Sequence, residues 1–274
     1  LETKKATALT TRLVVGFSLG GVFLFSLINP LLFVTLAAVA AGLGARELAT
    51  AMRSSGWHVP RIPATIGGFL MPYTTYFFGP EGQWLTLWVS VMAMVAWRLF
   101  FLLVTKKQQG IKDTLRDFGA SVFTMVYVPL LLSFSSLLIL REDGTFWILG
   151  LTLTVVAIDS FGYLVGRVWG KTKLSPEISP KKTWEGLLAS IIGAMVLGVV
   201  TALLVEASIW FGLLFGAAIL VSSVMGDLSE SLIKRDLQVK DMGDVLPGHG
   251  GVLDRIDSLL PSIFVAYLLS HVVF

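Results

Sequence analysis

Asp227 and Glu230, with Ser231 and Lys234 behind them, fall at helical spacing, so on a helix one stripe turns from acidic to basic. The run that carries them is otherwise apolar, and ionisable side chains in such a run are costly unless they are paired, metal-bound or functional. Asp159 poses the same problem in another apolar run, where Tyr163, Gly166, Arg167 and Gly170 follow on nearly the same face. A packing seam with a buried ion pair is the plain alternative for both. From 240 to 257 the chain reads KDMGDVLPGHGGVLDRID, in which Gly248, Gly250 and Gly251 let the backbone come close to a ligand and Asp254, Arg255 and Asp257 follow. Hard oxygen ligands in such number suit Mg²⁺, which takes one or two carboxylates and completes its shell with water and substrate phosphates. His249 has neither Cys nor a second His nearby, which argues against zinc and leaves a general base open.

The cations suit phosphate. From 171 to 184 the chain reads KTKLSPEISPKKTW, with Lys171, Lys173, Lys181 and Lys182 around Pro176 and Pro180, two prolines that deny the loop a helix. Gly166 to Thr172 superficially resembles a nucleotide phosphate loop, yet it has one residue too few between its glycines and follows an apolar helix instead of a strand. It is not a Walker motif, although its Gly and Lys still suit an anion. A merely solvated basic loop is the plain alternative for the lysines, and continuity with the helix bearing Asp159 favours function. Arg98 and Glu47 stand near helix ends where snorkelling is cheap, so Arg98 reads as structural and Glu47 stays open.

The elements that must position these groups lie in lipid. With 55% of its 274 residues hydrophobic and only 14% charged, the chain is too apolar for a dispersed soluble domain. There is no cysteine, which excludes disulfides, thiol nucleophiles and thiolate metal sites. Apolar runs at 12 to 28, 30 to 52, 62 to 79, 83 to 104, 117 to 140, 146 to 169, 184 to 206, 208 to 235 and 258 to 274 predict an all-α polytopic membrane protein of about nine transmembrane helices. The first run lacks a cleavage pattern and reads as a retained helix. With the N-terminus cytoplasmic, only Arg141 of the 21 Lys and Arg residues falls outside, among them Lys4, Lys5, Arg12, Lys106, Lys107 and Lys112 inside, and the C-terminus is extracytoplasmic. Residues 1–145 form N-terminal membrane helices, and 146–274 the catalytic helices with their cytoplasmic loops, in one continuous membrane unit.

The run from Ser231 to Asp257, with S-x-x-K-R, K-D-x-G and P-x-H-G-G-x-x-D-R-x-D, resembles the signature of the phosphatidate cytidylyltransferase (CDP-diglyceride synthetase) family. Asp159 to Gly186, with G-R-x-x-G-K and I-S-P-K-K-T-W-E-G, is similar to that family's other characteristic block. Gly162 stands where the family often has Ala, a change that threatens no chemistry.

The resemblance implies that CTP and phosphatidic acid give CDP-diacylglycerol and pyrophosphate with Mg²⁺, and a second metal ion is plausible. It implies Asp227 and Asp254 as principal metal ligands, with Asp159 and Asp257 as weaker ones. Lys234 and Arg255 join Asp227, Asp254 and Asp159 as catalytic residues, and Lys171, Ser179, Lys181, Lys182, Arg235, Lys240, His249, Gly250 and Gly251 bind substrate. The expected setting is the inner (cytoplasmic) membrane, with membrane lipids around the protein, the active site facing the cytoplasm and no nucleic acid partner. Glycine ridges at Gly16 to Gly20 and Gly162 to Gly170 permit a homodimer but serve equally for packing within one chain. A related lipid cytidylyltransferase, a CTP-dependent lipid kinase and, in a different class, a cation-coupled transporter remain as alternatives. Lopsided loops and the absence of an internal repeat weigh against the transporter.

Overall fold

The computed structural model describes residues 2–105 and 113–273. Lys106, Lys107 and Lys112 lie outside the described residues, as do the side chains of Lys4, Lys5 and Arg12. The chain runs α1 (Glu2–Ser26), α2 (Pro30–Ser54), α3 (Arg61–Thr105), α4 (Thr114–Met125), a π-helical segment (Val126–Leu130), α5 (Leu131–Ile139), α6 (Gly144–Val168), β1 (Lys173–Ser175), β2 (Ser179–Thr183), α7 (Trp184–Leu204), α8 (Ile209–Asp236), α9 (Leu253–Ile256) and α10 (Leu259–Val273). Six helical stretches among the described residues are long and apolar enough to cross a membrane: Pro30–Ser54, Arg61–Val104, Thr114–Ile139, Gly144–Val168, Trp184–Leu204 and Ile209–Asp236. Leu13–Ser26 and Leu259–Val272 are shorter apolar helices. Within α3 the helical backbone breaks at Gly79 (φ 62°, ψ −151°), just before Pro80, so the expected runs 62 to 79 and 83 to 104 meet at a sharp kink.

The termini of these helices are written locally. Asn29 caps α2, its side chain accepting from the Leu31 amide at 2.8 Å, and Pro30 fills the first helical position where no N–H is needed. Thr183 does the same for α7, accepting from the Gly186 amide at 3.2 Å. The all-α expectation needs one addition: β1 and β2 form an antiparallel ribbon pairing Lys173 with Thr183 and Ser175 with Ser179. A two-stranded ribbon has free edges that tolerate Pro180, and without hydrophobic alternation it carries no strand signal.

The chain divides into two compact units, Leu1–Ser136 with Leu237–Arg255, and Leu137–Asp236 with Ile256–Phe274. In the first, α2 buries Val34, Ala38, Ala41, Ala45 and Leu48 completely. Arg98 does not snorkel: it is buried and ion-paired with the buried Asp117 at 2.7 Å. Asp117 also accepts from the His58 amide at 2.9 Å, so the structural role holds by burial and pairing. In the second unit, α6 and α7 approach through their small residues, and a Cβ at Gly186 would meet the Gly162 carbonyl oxygen at 2.6 Å. The Gly162 to Gly170 ridge is therefore occupied inside this unit, which removes its support for a homodimer.

Candidate functional site

The acidic-to-basic stripe of α8 is real, and the second unit adds partners to it. Asp227 is ion-paired with Lys182 of β2 at 2.5 Å, and the Ser231 hydroxyl donates to Asp227 Oδ1 at 3.4 Å. One turn on, Glu230 is fully buried and pairs with Lys234. Asp257 is brought to this stripe by close approach at Gly226, where a Cβ would meet the Asp257 carbonyl oxygen at 2.5 Å and Pro261 Cγ at 2.8 Å. The Ser222 and Ser262 hydroxyls bond at 3.0 Å and tie α8 to α10. Burial, and then the negative charge of Asp227, push the Asp257 carboxyl above its ordinary value, while the Ser258 amide, Lys234 and a hydrogen bond with Glu230 oppose the shift.

Beside this cluster lies a cavity of about 300 Å³, lined by Asp159, Ser179, Lys181, Lys182, Tyr163 and Asp227 among others. Residues from α6, the β-ribbon, α7 and α8 thus line one cavity, with two carboxylates and two lysines among them. Arg167 turns to Tyr163, donating to its hydroxyl at 3.1 Å and lying over the ring. The ribbon is anchored to α7 by the Trp184 amide, which donates to the Thr172 carbonyl at 3.0 Å, so Lys181 and Lys182 are presented by a hydrogen-bonded scaffold. Among the described residues no three His, Asp or Glu side chains form a ready metal cage. The neighbouring Asp227 and Asp257 fit the sparser demand of Mg²⁺, one or two carboxylates with the remaining positions left to water and phosphate.

In the first unit the Pro-Gly-His-Gly-Gly segment is a tight turn, with Leu246 and Gly250 bridged and Gly248 and Gly250 at φ 75° and 82°. Its organiser is Glu47, whose buried carboxylate accepts from the amides of Val252 at 3.0 Å and Leu253 at 2.9 Å. A Cβ at Gly243 or Gly251 would collide with that carboxylate, so the close approach these glycines allow is made by Glu47. Asp254 accepts from the amides of Met242 at 3.0 Å and Gly251 at 2.8 Å, which gives it a structural duty in the turn. The Nδ1 atom of His249 is buried and has no hydrogen-bond partner among the described residues.

The predicted residues thus fall into two groups. Asp159, Ser179, Lys181, Lys182, Asp227, Lys234 and Asp257 belong to the second unit and surround or adjoin its cavity, where exposed Lys171 and Arg235 flank the ribbon and end α8. Lys240, His249, Gly250, Gly251, Asp254 and Arg255 belong to the first unit, with Lys240 and Arg255 exposed. The structure adds two residues to these groups. Glu230 is on the predicted stripe and is distinguished only by its burial, and Glu47 acts across 205 positions of sequence, for which no local signal exists.

The profile of the cytidylyltransferase family matches residues 10–273. Phosphatidate cytidylyltransferase of Mycobacterium bovis (strain ATCC BAA-935 / AF2122/97) is 38% identical, over 97% of this chain and 90% of its own length. The Mycobacterium tuberculosis (strain ATCC 25618 / H37Rv) protein of the same name is 38% identical, over 97% of this chain and 84% of its own. That of Mycobacterium leprae (strain TN) is 36% identical, over 94% and 86%. With a profile match across nearly its whole length and relatives this similar, the chain belongs to the cytidylyltransferase family.

Proposed function

We propose that this chain is a phosphatidate cytidylyltransferase, joining the cytidylyl group of CTP to phosphatidic acid to give CDP-diacylglycerol and pyrophosphate. Family membership supports an enzyme over the transporter reading. The observation that carries the chemistry is the cavity of the second unit, whose lining includes Asp159 and Asp227 together with Lys181 and Lys182.

An oxygen of the lipid phosphomonoester attacks the α-phosphorus of CTP, the bond from that phosphorus to the bridging oxygen breaks, and pyrophosphate departs with the electron pair. The attacking group carries about −1.5 to −2 charges near neutral pH, so no strong base is needed and mutual repulsion is the obstacle. Lys181 and Lys182 meet that repulsion on the cavity wall, and Lys171, Lys234, Arg235 and Arg255 are assigned to the same task. Asp227 and Asp254 are the proposed metal ligands, with Asp159 and Asp257 assisting; Asp254 enters through the motif alone. A bound Mg²⁺ supplies charge neutralisation on the phosphates and templates the in-line geometry. Lys182 balances Asp227 in this structure; were Asp227 to hold Mg²⁺, Lys182 would be available to a phosphate oxygen. His249, Gly250, Gly251, Lys240 and Ser179 are proposed to contact substrate.

Counting α3 as two crossings at its kink, and α1 and α10 as one each, gives the proposed nine, with the N-terminus cytoplasmic, the C-terminus outside and the site open to cytosolic CTP in the inner membrane. The test is product analysis in detergent with Mg²⁺, CTP and phosphatidate. One pyrophosphate should appear per lipid consumed; CDP instead of pyrophosphate would identify a kinase, and equal turnover of a polyprenyl phosphate would broaden the acceptor.

A further inference from the structure

A second cavity, of about 610 Å³, lies wholly within the first unit and plays no part in the chemistry above. Its polar lining is cationic. Arg46 and Arg53 stand two helical turns apart on α2, and Arg61 opens α3, where the helix dipole already concentrates positive charge. None of these three arginines has an ion-pair partner among the described residues; Arg53 reaches only the Val59 carbonyl, at 3.5 Å. Nearby, Arg98 and Arg116 are neutralised by Asp117 and Asp113, so the acids of this region are already taken. The same lining carries apolar side chains: Ile62 and Ile66 come from the first half of α3, and Trp97 and Phe101 from its second. Ile62, Ile66 and Trp97 are 58%, 54% and 45% exposed, so these side chains stand open to an apolar ligand. His58, which also lines the cavity, is held below its ordinary value first by burial and then by the charges of Arg98 and Arg53, against the opposing charge of Asp117, so it adds no cation of its own near neutral pH.

We propose that this cavity binds an anionic glycerophospholipid of the bilayer, its phosphate held by Arg46, Arg53 and Arg61 and its glycerol and proximal acyl chains laid along Ile62, Ile66, Trp97 and Phe101. Guanidinium forks match phosphate oxygens in pairs, and three of them together exceed what a zwitterionic headgroup needs. The volume suits a headgroup with the first part of its chains. Apolar side chains in the same lining separate a lipid from a free anion, which would leave them bare. The site stands independently of the cytidylyl-transfer reading, because it uses none of the residues assigned to that reaction.

The test is native mass spectrometry of the purified full chain in neutral detergent with dioctanoyl phosphatidylglycerol, a phosphodiester that lacks the attacking group of the reaction. Wild type should retain phosphatidylglycerol about tenfold better than dioctanoyl phosphatidylcholine, and inorganic phosphate at about 10 mM should not displace it. The double variant Arg53→Gln/Arg61→Gln should lose about tenfold of that retention while pyrophosphate release stays within about twofold of wild type. Equal retention by the variant, equal retention of phosphatidylcholine, or displacement by inorganic phosphate would each overturn the proposal. If the double variant does not fold, Arg46→Gln on the exposed face of α2 carries the same comparison, and the wild-type arms need no variant.

Discussion

Asp227 is held by Lys182 at 2.5 Å and lies beside Asp257, so its carboxylate is partly accessible, with a lysine on one side and a second carboxyl group on the other. Asp227→Ala is expected to lower pyrophosphate release by at least about 100-fold, because electrostatic stabilisation at a phosphoryl centre is concentrated in a few groups. Size exclusion and thermal unfolding in detergent should remain those of wild type; activity within tenfold of wild type would remove Asp227 from the proposed ligand set. Glu47 is the contrasting case. Removing its carboxylate leaves the part-buried Val252 amide and the buried Leu253 amide without their acceptor, at a cost of about 1 to 3 kcal/mol for the buried one and less for the other. Thermal unfolding should therefore rank wild type above Glu47→Gln, which keeps one acceptor oxygen, and Glu47→Gln above Glu47→Ala. An alanine variant that melts with wild type would mean that the turn holds itself. The stripe Asp227, Glu230, Ser231 and Lys234 can be read from sequence because helical spacing is local. The duty of Glu47 cannot, because its partners lie on a distant loop and a lone acid near a helix end is also what a solvated side chain looks like.

Among the elements, α8 and the start of α10 depend on one atom's width. A methyl group at Gly226 would strike the Asp257 backbone carbonyl and the Pro261 ring, neither of which can swing aside as a flexible side-chain end would. Gly226→Ala is expected to push Asp257 away from Asp227 and to reduce turnover about tenfold or more, with a smaller loss of thermal stability, of about 1 to 3 kcal/mol. Steady-state kinetics beside a melting curve separate the two; unchanged kinetics with intact folding would show that Asp257 need not lie where it does. The helices themselves are legible because an apolar run of membrane length is too costly to leave in water. The kink is marked by Gly79 and Pro80. The ribbon of Lys173 to Thr183 is readable only as something other than helix, since its pairing depends on register between two polar segments and not on any pattern within either.

At the scale of the whole molecule, the charge asymmetry makes a directional claim that the absence of cysteine renders easy to test. Single cysteines can be placed at exposed positions without removing any native thiol: Glu177→Cys between β1 and β2, Glu142→Cys before α6, and His271→Cys near the end of α10. Positive-inside topology with nine crossings puts Glu177 in the cytoplasm and both Glu142 and His271 outside. A membrane-impermeant maleimide should then label Glu142→Cys and His271→Cys in intact spheroplasts and Glu177→Cys only in inverted vesicles. The positions test different things. Reversal of all three would turn the whole protein over and leave the proposed site unable to reach cytosolic CTP. Reversal of His271→Cys alone would keep that site in the cytoplasm and change the parity, which would mean that α10, with 15 residues, lies at the interface instead of spanning.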